Sequence, residues 1–306
     1  MLRIVFMGTA GFAVPSLDIL RENGYDVPGV VTAPDRPRGR GQEMQPTAVK
    51  ERALKLSLPV TQPASLRDPS FADEIRRAAP DLAVVVAFRI LPREVFSIPR
   101  LGTFNLHASL LPKYRGAAPI NRAIMGGETE TGVTTFFLDD QVDTGRMLMQ
   151  ARTPILHDDD AGTLHDRLAA IGAEIVLHTV RLIEMGKALP RPQDSSLASP
   201  APKIFKDDCR IAWDRPSVVV RNQIRGLSPV PAAFTTHNGK VIKIYRAQRV
   251  DGKREPGSVE AGKDYLHVGT TSGCLALEEL QQEGKRRMTV EEFLRGYRIV
   301  TGEQFS

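Results

Sequence analysis

The sequence predicts an α/β protein with a Rossmann-like, mostly parallel, doubly wound sheet and a smaller C-terminal β-barrel (OB-like) domain. Three observations carry this expectation. Short apolar runs alternate with helical stretches through the first half, as in buried parallel strands joined by crossover helices. A stretch rich in proline, serine and alanine follows at 189–202, a composition that suits an extended connection. Beyond it, strand signals recur at short intervals between turn dipeptides, the pattern of a small barrel. The boundaries read as a first domain over 1–188, a linker over 189–204 and a barrel over 205–306.

The elements follow in order. Residues 2–7 read as a buried strand, and a helix opens near Pro15, since proline is well tolerated in a first turn. Gly24 is placed to end that helix. Strands are predicted at 27–32, 81–87, 102–107 and 132–138, with helices at 71–79 and 120–125 among them. Residues 163–189 read as one long helix. Its apolar positions Leu164, Leu168, Ile171, Ile175, Val176, Leu182 and Ile183 fall at roughly helical spacing and form a stripe to pack on the sheet. In the barrel, strands are predicted at 240–247, 265–269 and 274–280. Asn238-Gly239 and Pro256-Gly257 mark turns, and a short helix begins at Thr289.

With 306 residues and 42% hydrophobic content, the chain can bury a sizeable core. Its longest apolar runs, such as 82–88, are too short to span a bilayer. The first residues lead straight into a strand, without the apolar stretch and cleavage site of a secretory leader, so a cytoplasmic protein is expected. Two cysteines, Cys209 and Cys274, cannot make a disulfide framework or a four-ligand zinc site, and no metal is expected. The net charge of +5 is unevenly distributed. From Lys206 onward there are 17 Lys and Arg against 13 Asp and Glu, whereas the first 205 residues hold 24 against 23. A basic small domain beside a neutral one suits contact with a polyanion, although so slight an excess also occurs on ordinary surfaces.

Four motifs bear on chemistry. Gly8-Thr9-Ala10-Gly11 sits where a dinucleotide fingerprint would sit, but its glycines are three apart and the G-x-G-x-x-G spacing is absent. It reads as a tight turn that approaches a ligand rather than as a nicotinamide site. Asp35-Arg36-Pro37-Arg38-Gly39-Arg40-Gly41 interleaves three arginines with proline and glycine, so no regular element is expected to absorb them. Those guanidinium forks suit phosphate, or else the loop is simply solvated. Asn105 and His107 are two apart at the end of a predicted strand, hence on one face. That face opens into the crevice where doubly wound sheets bind substrates, and an amide beside an imidazole forms a donor pair for a developing oxyanion. Asp143 lies just past the fifth strand on the same side of the sheet. It can orient His107 or take a proton through water, with Asp139 and Asp140 as competing candidates for a mere turn or cap.

The motif Asn105-x-His107-x-Ser109-Leu110-Leu111-Pro112, with Gly116 and later Asp143-Thr144-Gly145, resembles the folate-dependent formyltransferases. Met7-Gly8-Thr9, the arginine loop, Arg115-Gly116-Ala117-Ala118-Pro119-Ile120 and Arg225-Gly226-Leu227-Ser228-Pro229-Val230-Pro231-Ala232 extend the likeness to the branch that acts on tRNA. The resemblance implies that Asn105, His107 and Asp143 are the catalytic residues. It implies 10-formyltetrahydrofolate as co-substrate, with Ser109, Leu110, Leu111 and Pro112 lining its pocket and Phe88, Arg89 and Leu91 bordering the pterin. The segment Ala87-Phe88-Arg89-Ile90-Leu91-Pro92 is one residue shorter than the family's usual Ala-Tyr-Gly-x-Ile-Leu-Pro. The implied partner is methionyl initiator tRNA, formylated on its amino group for translation initiation. Arg36, Arg38 and Arg40 would enter the acceptor arm, with Arg40 at the family's principal arginine position. No membrane contact and no obligate protein partner are implied. Three other readings stand beside this one: a formyltransferase for a sugar-nucleotide or purine-precursor amine, a nicotinamide oxidoreductase, and a tRNA-binding protein without chemistry.

Overall fold

The apolar run that opens the chain becomes strand β1 (Arg3–Gly8), buried at every residue after Arg3, which requires cover on both faces of the sheet. The structure, a computed structural model, describes residues 1–38 and 43–306, the side chain of Arg38 excepted. Two compact units are formed, one from residues 1–116, 131–153 and 165–200, the other from 117–130, 154–164 and 201–306.

In the first unit β1 is joined by β2 (Asp26–Val31), a two-stranded hairpin β3 (Arg36–Arg38) and β4 (Glu43–Gln45), β5 (Val60–Thr61), β6 (Leu82–Val86), β7 (Thr103–His107), β8 (Glu130–Phe137) and β9 (Met147–Pro154). The seven-stranded sheet runs β5-β2-β1-β6-β7-β8-β9. Pairing is parallel from β5 through β7, and β8 is antiparallel to β7. The chain builds outward from β1 to β5 and then returns to β6 on the other side of β1. The winding therefore reverses between β1 and β6, and the crevice at the carboxyl ends of these strands is the expected place for a ligand.

The helices of the first unit are α1 (Val14–Glu22), α2 (Ala48–Lys55), α3 (Pro69–Ala78), α4 (Arg93–Phe96) and most of α6 (Ala161–Glu184), while α5 (Pro119–Met125) falls in the second unit. Helix α3 opens at Pro69 with Asp68 accepting from the Ser70 amide, a side-chain cap for an otherwise orphaned donor. Its buried Phe71, Ala72 and Ile75 join Val5, Met7, Val31, Ala83 and Val85 in one core cluster. Helix α6 keeps the predicted stripe, with Leu164, Leu168, Ile175 and Val176 all buried. It ends at Glu184 rather than at 189, because Gly186 turns into the left-handed region at φ 66°, the usual helix stop. The expectation that no regular element takes up the arginines fails in part. Arg36, Pro37 and Arg38 pair with Gln45, Met44 and Glu43, and proline is tolerated because a two-stranded hairpin is all edge. Arg40 lies outside the described residues.

The second unit adds α7 (Ser217–Leu227), β10 (Ala233–His237), β11 (Lys240–Val250), β12 (Val259–Ala261), β13 (Leu266–Gly269), β14 (Cys274–Gln282), β15 (Met288–Thr289) and α8 (Val290–Gly296). Its antiparallel sheet runs β10-β11-β14-β13-β12, with β15 paired to β14. Residues 303–306 bridge the two edges of that sheet. The Val259 amide donates to the Glu303 carbonyl (2.9 Å) and the Phe305 amide to that of Gly257 (2.9 Å). On the other side, Thr236 and Ser306 exchange backbone bonds of 2.7 and 3.0 Å. Satisfying both edges removes exposed pairing surface and buries Phe305 beside Trp213. No helix among the described residues is long and apolar enough to cross a membrane.

Candidate active site

Strand β7 places the first two residues. Asn105 lies between Val85 of β6 and Phe136 of β8, and His107 lies opposite Thr134. Leu106, between them, points to the other face, where a Cβ on Gly172 of α6 would stand 2.6 Å from its methyl. Alternation therefore gives Asn105 and His107 a face of their own, away from α6. His107 is buried and Asn105 half-buried.

The turn after β7 is pinned from below by a buried polar knot. The Ser109 hydroxyl donates to the Lys113 carbonyl at 2.6 Å. Thr134 donates to the Ser109 carbonyl (2.7 Å) and accepts from the Leu111 amide (3.1 Å) and from Gln150 Nε2 (3.0 Å). Gln150 Nε2 also donates to the Leu111 carbonyl at 2.8 Å. The one proton and two lone pairs of Thr134 are all used, so Ser109-Leu110-Leu111-Pro112 is a rigid ledge. The Ser109 hydroxyl is fully buried and committed to holding that ledge, whereas Leu110 and Pro112 are half-buried.

His107 is held through Nε2, which lies 2.8 Å from the Tyr114 carbonyl. A carbonyl can only accept, so Nε2 carries a proton. The other nitrogen, Nδ1, faces the Asp143 carboxylate at 3.7 Å. That gap exceeds a direct hydrogen bond and leaves Nδ1 free to act on a third group. The Tyr114 carbonyl, rather than Asp143, anchors the imidazole, and nothing in the sequence marks it because the contact is made by backbone. Asp143 is oriented by the Gly116 amide, which donates to its Oδ2 at 2.8 Å. The competing acids have other duties. Asp139 accepts from the Gln141 amide (3.1 Å) and the Thr144 hydroxyl (2.8 Å) in an Asx-type turn, and Asp140 pairs with Arg93 at the surface.

The glycine turn behaves as a steric device. A Cβ on Gly8 would meet Ala13 at 2.8 Å and the Val86 carbonyl at 3.1 Å, whereas a Cβ on Gly11 would meet nothing within 4 Å. After β6 the chain leaves strand geometry at Ala87, φ 47°, and Ile90 projects outward while Leu91 is buried. Arg89 donates to the Pro63 (2.8 Å) and Ala64 (3.2 Å) carbonyls and lies 5.4 Å from the Phe88 ring. Burial, and then the positive charge of Arg36, pull its pKa below the ordinary arginine value. Arg36 is exposed. At the neighbouring Asp35, bonds from Lys50 (2.6 Å) and Gln62 (2.7 Å) hold the carboxyl below the usual range. Among the described residues no cluster of His, Cys, Asp or Glu could hold a metal ion.

Asn105 and His107 thus share one face at the end of β7, with the Asp143 carboxylate beside the imidazole, and comparison with known proteins identifies the class to which this open α/β sheet belongs. The formyl transferase profile matches residues 2–180, and the formyl transferase C-terminal domain matches residues 203–298. The chain belongs to the formyl transferase family. Within it, the chain is 50% identical to the methionyl-tRNA formyltransferase of Parabacteroides distasonis, over 98% of this chain and 97% of that protein. It is 49% identical to that of Porphyromonas gingivalis (97% and 96%) and 48% identical to that of Caldanaerobacter subterraneus (98% and 99%). Among solved structures, an N-formyltransferase from Helicobacter canadensis, in complex with folinic acid and dTDP-3-aminofucose, superposes with a TM-score of 0.70. It is 19% identical and covers 94% of this chain and 100% of that one. HypX from Aquifex aeolicus gives a TM-score of 0.69 at 20% identity, over 97% of this chain and 48% of that one. At these identities the likeness establishes the fold.

Proposed function

We propose that the chain transfers the formyl group of 10-formyltetrahydrofolate to the α-amino group of methionyl initiator tRNA. The observation that carries this reading is the convergence of Asn105, His107 and Asp143 in a chain alike over both units to relatives named for that reaction. The co-substrate supplies the formyl carbon. The backbone of 88–91 makes no hydrogen bond among the described residues, so its amides and carbonyls suit the donor–acceptor edge of a pterin. Phe88, Arg89 and Leu91 flank that edge, and the ledge from Ser109 to Pro112 walls the pocket.

An α-amino group has a pKa near about 8, so a useful fraction is neutral at cellular pH. Its nitrogen attacks the formyl carbon, and negative charge grows on the formyl oxygen. The Asn105 amide donates to that oxygen, as does His107 through Nδ1–H when the ring is protonated, since Nε2–H is already engaged. Such a donor contributes about 3–4 kcal/mol, a factor of about 100 to 1000 in rate. Asp143 accepts the ammonium proton through a bridging water, consistent with its spacing from Nδ1. The bond from the formyl carbon to N10 then breaks and N10 is protonated. Arg36, Arg38 and Arg40 contact the tRNA acceptor arm, where guanidinium forks match phosphate.

The test is single-turnover formylation of methionyl initiator tRNA, with elongator methionyl-tRNA and a sugar-nucleotide amine as controls. Initiator tRNA should be the preferred acceptor, and His107→Ala should slow transfer by about 100-fold or more. A loss of less than about tenfold in a folded variant removes His107 from the chemistry. Faster transfer to the free amine than to the tRNA overturns the substrate.

A further inference from the structure

Eight of the ten residues 191–200 are exposed, in a stretch without regular structure beyond a single 3-10 turn at Ser195–Leu197. The two that are not exposed, Gln193 and Ser199, both grip the backbone that carries the active site. Gln193 Nε2 donates to the carbonyls of Asp143 and Gly145, each at 2.9 Å. Its Oε1 accepts from Arg115 Nε (3.1 Å) and Nη2 (2.7 Å), so both N–H groups and both lone pairs are used. Ser199 Oγ accepts from the Tyr114 amide at 2.9 Å, and the Ser199 carbonyl accepts from the Arg115 amide at 2.9 Å. Upstream, Arg191 and Met147 exchange two backbone bonds of 2.8 Å.

The two residues so gripped are the ones that set His107. Tyr114 supplies the carbonyl that anchors Nε2, and Asp143 faces Nδ1. Both sit at positive φ, 61° and 56°, a conformation that non-glycine residues keep only where surrounding structure imposes it. We propose that residues 191–200 form a positioning strap, in which Gln193 sets Asp143 and Ser199 sets the Tyr114 carbonyl. The strap thereby fixes the spacing of the His107–Asp143 pair from outside the strands that bear it. The inference rests on the reading of these two as the reacting pair. Gln193 and Ser199 touch no reacting atom and are positioning residues.

The test uses Gln193→Glu and Ser199→Ala in the full chain. Glutamate keeps an acceptor for Arg115 but replaces the donor with a charged carboxylate oxygen that the two carbonyls repel, so the hold on Asp143 and Gly145 is lost. Gln193→Glu should lower kcat on the order of 100-fold, as expected for displaced reacting groups, with KM for folate and tRNA within about threefold. Hydrogen exchange at the Gly116 amide, which reports on the Asp143 carboxylate, should rise about tenfold or more in the absence of any substrate. Ser199→Ala should lower kcat in the same direction. The strap is overturned if kcat and Gly116 exchange both keep parental values, or if the rate loss falls on KM alone. If exchange rises while even the parent fails to formylate methionyl-tRNA, the strap stands and the proposed reaction falls.

Discussion

His107 shows how much of a residue's chemistry is decided by what holds it. Strand alternation brings it to the face of Asn105, but the proton assignment comes from a carbonyl seven residues on. With Nε2–H spent on Tyr114, only Nδ1 remains for a further contact, and Asp143 stands beside that atom rather than behind the ring. Gly145 is the matching steric requirement. A Cβ there would lie 1.7 Å from the Phe137 carbonyl, a distance no side-chain movement relieves. Gly145→Ala must therefore push the loop that carries Asp143 off β8. Overpacking of this kind costs about 1–3 kcal/mol or more, so the melting temperature should fall by at least about 2 °C, with loss of transfer activity. A variant that melts and turns over like the parent would show that the loop is not locked in this way.

At the scale of elements, α7 illustrates where pattern and propensity part. Its β-branched Val218, Val219 and Val220 favour a strand, yet the segment is helical, with Val220, Ile224 and Leu227 on its buried side. Asn121 of α5 donates to the Gly226 carbonyl at 2.7 Å. A Cβ on Gly226 would meet Met125 at 2.7 Å, so close packing of α5 on α7 outweighs local preference. Helix α8 is the reverse case, announced by its own residues. Thr289 accepts from the Glu292 amide and the Glu292 side chain accepts from the Thr289 amide, a complete capping box. Thr289→Ala should cost about 1 kcal/mol. The measurement is the urea midpoint, which should fall with an unchanged slope. An unchanged midpoint would mean that packing of Val290 and Phe293 alone holds the helix.

At the scale of the whole molecule, the barrel depends on residues far apart in the chain. The segment 303–306 closes its seam, and Glu303 is tied there to the buried His237 (3.2 Å) and to the Val300 amide (2.8 Å). The Val300 amide first, and then the charge of His237, hold the Glu303 carboxyl below its ordinary range. A depressed folded-state pKa means stability that is complete above the unfolded value, near about 4.3, and lost as the pH falls through the folded value. Melting temperatures followed from about pH 6 to about pH 3 should therefore drop less steeply in Glu303→Gln than in the parent. Parallel profiles would remove Glu303 from the acid response.

Periodicity alone determined the parallel sheet, the long helix and the antiparallel C-terminal region, because burial on two faces, on one stripe or on alternate residues leaves a mark on neighbouring positions. It also placed Asn105 beside His107, since two residues apart on a strand is a local relation. It could not choose among Asp139, Asp140 and Asp143, because Asp139 is held by local turn partners whereas Asp143 and Asp140 are met by groups 27 and 47 residues away. Nor could it show that Gln193 and Ser199, in a stretch whose composition reads as a connection, bond to the backbone of Asp143 and Tyr114 across about 50 and 85 residues. Those relations are hydrogen bonds between segments distant in the chain, often to backbone. Only the tertiary structure decides which carbonyl or amide a side chain meets.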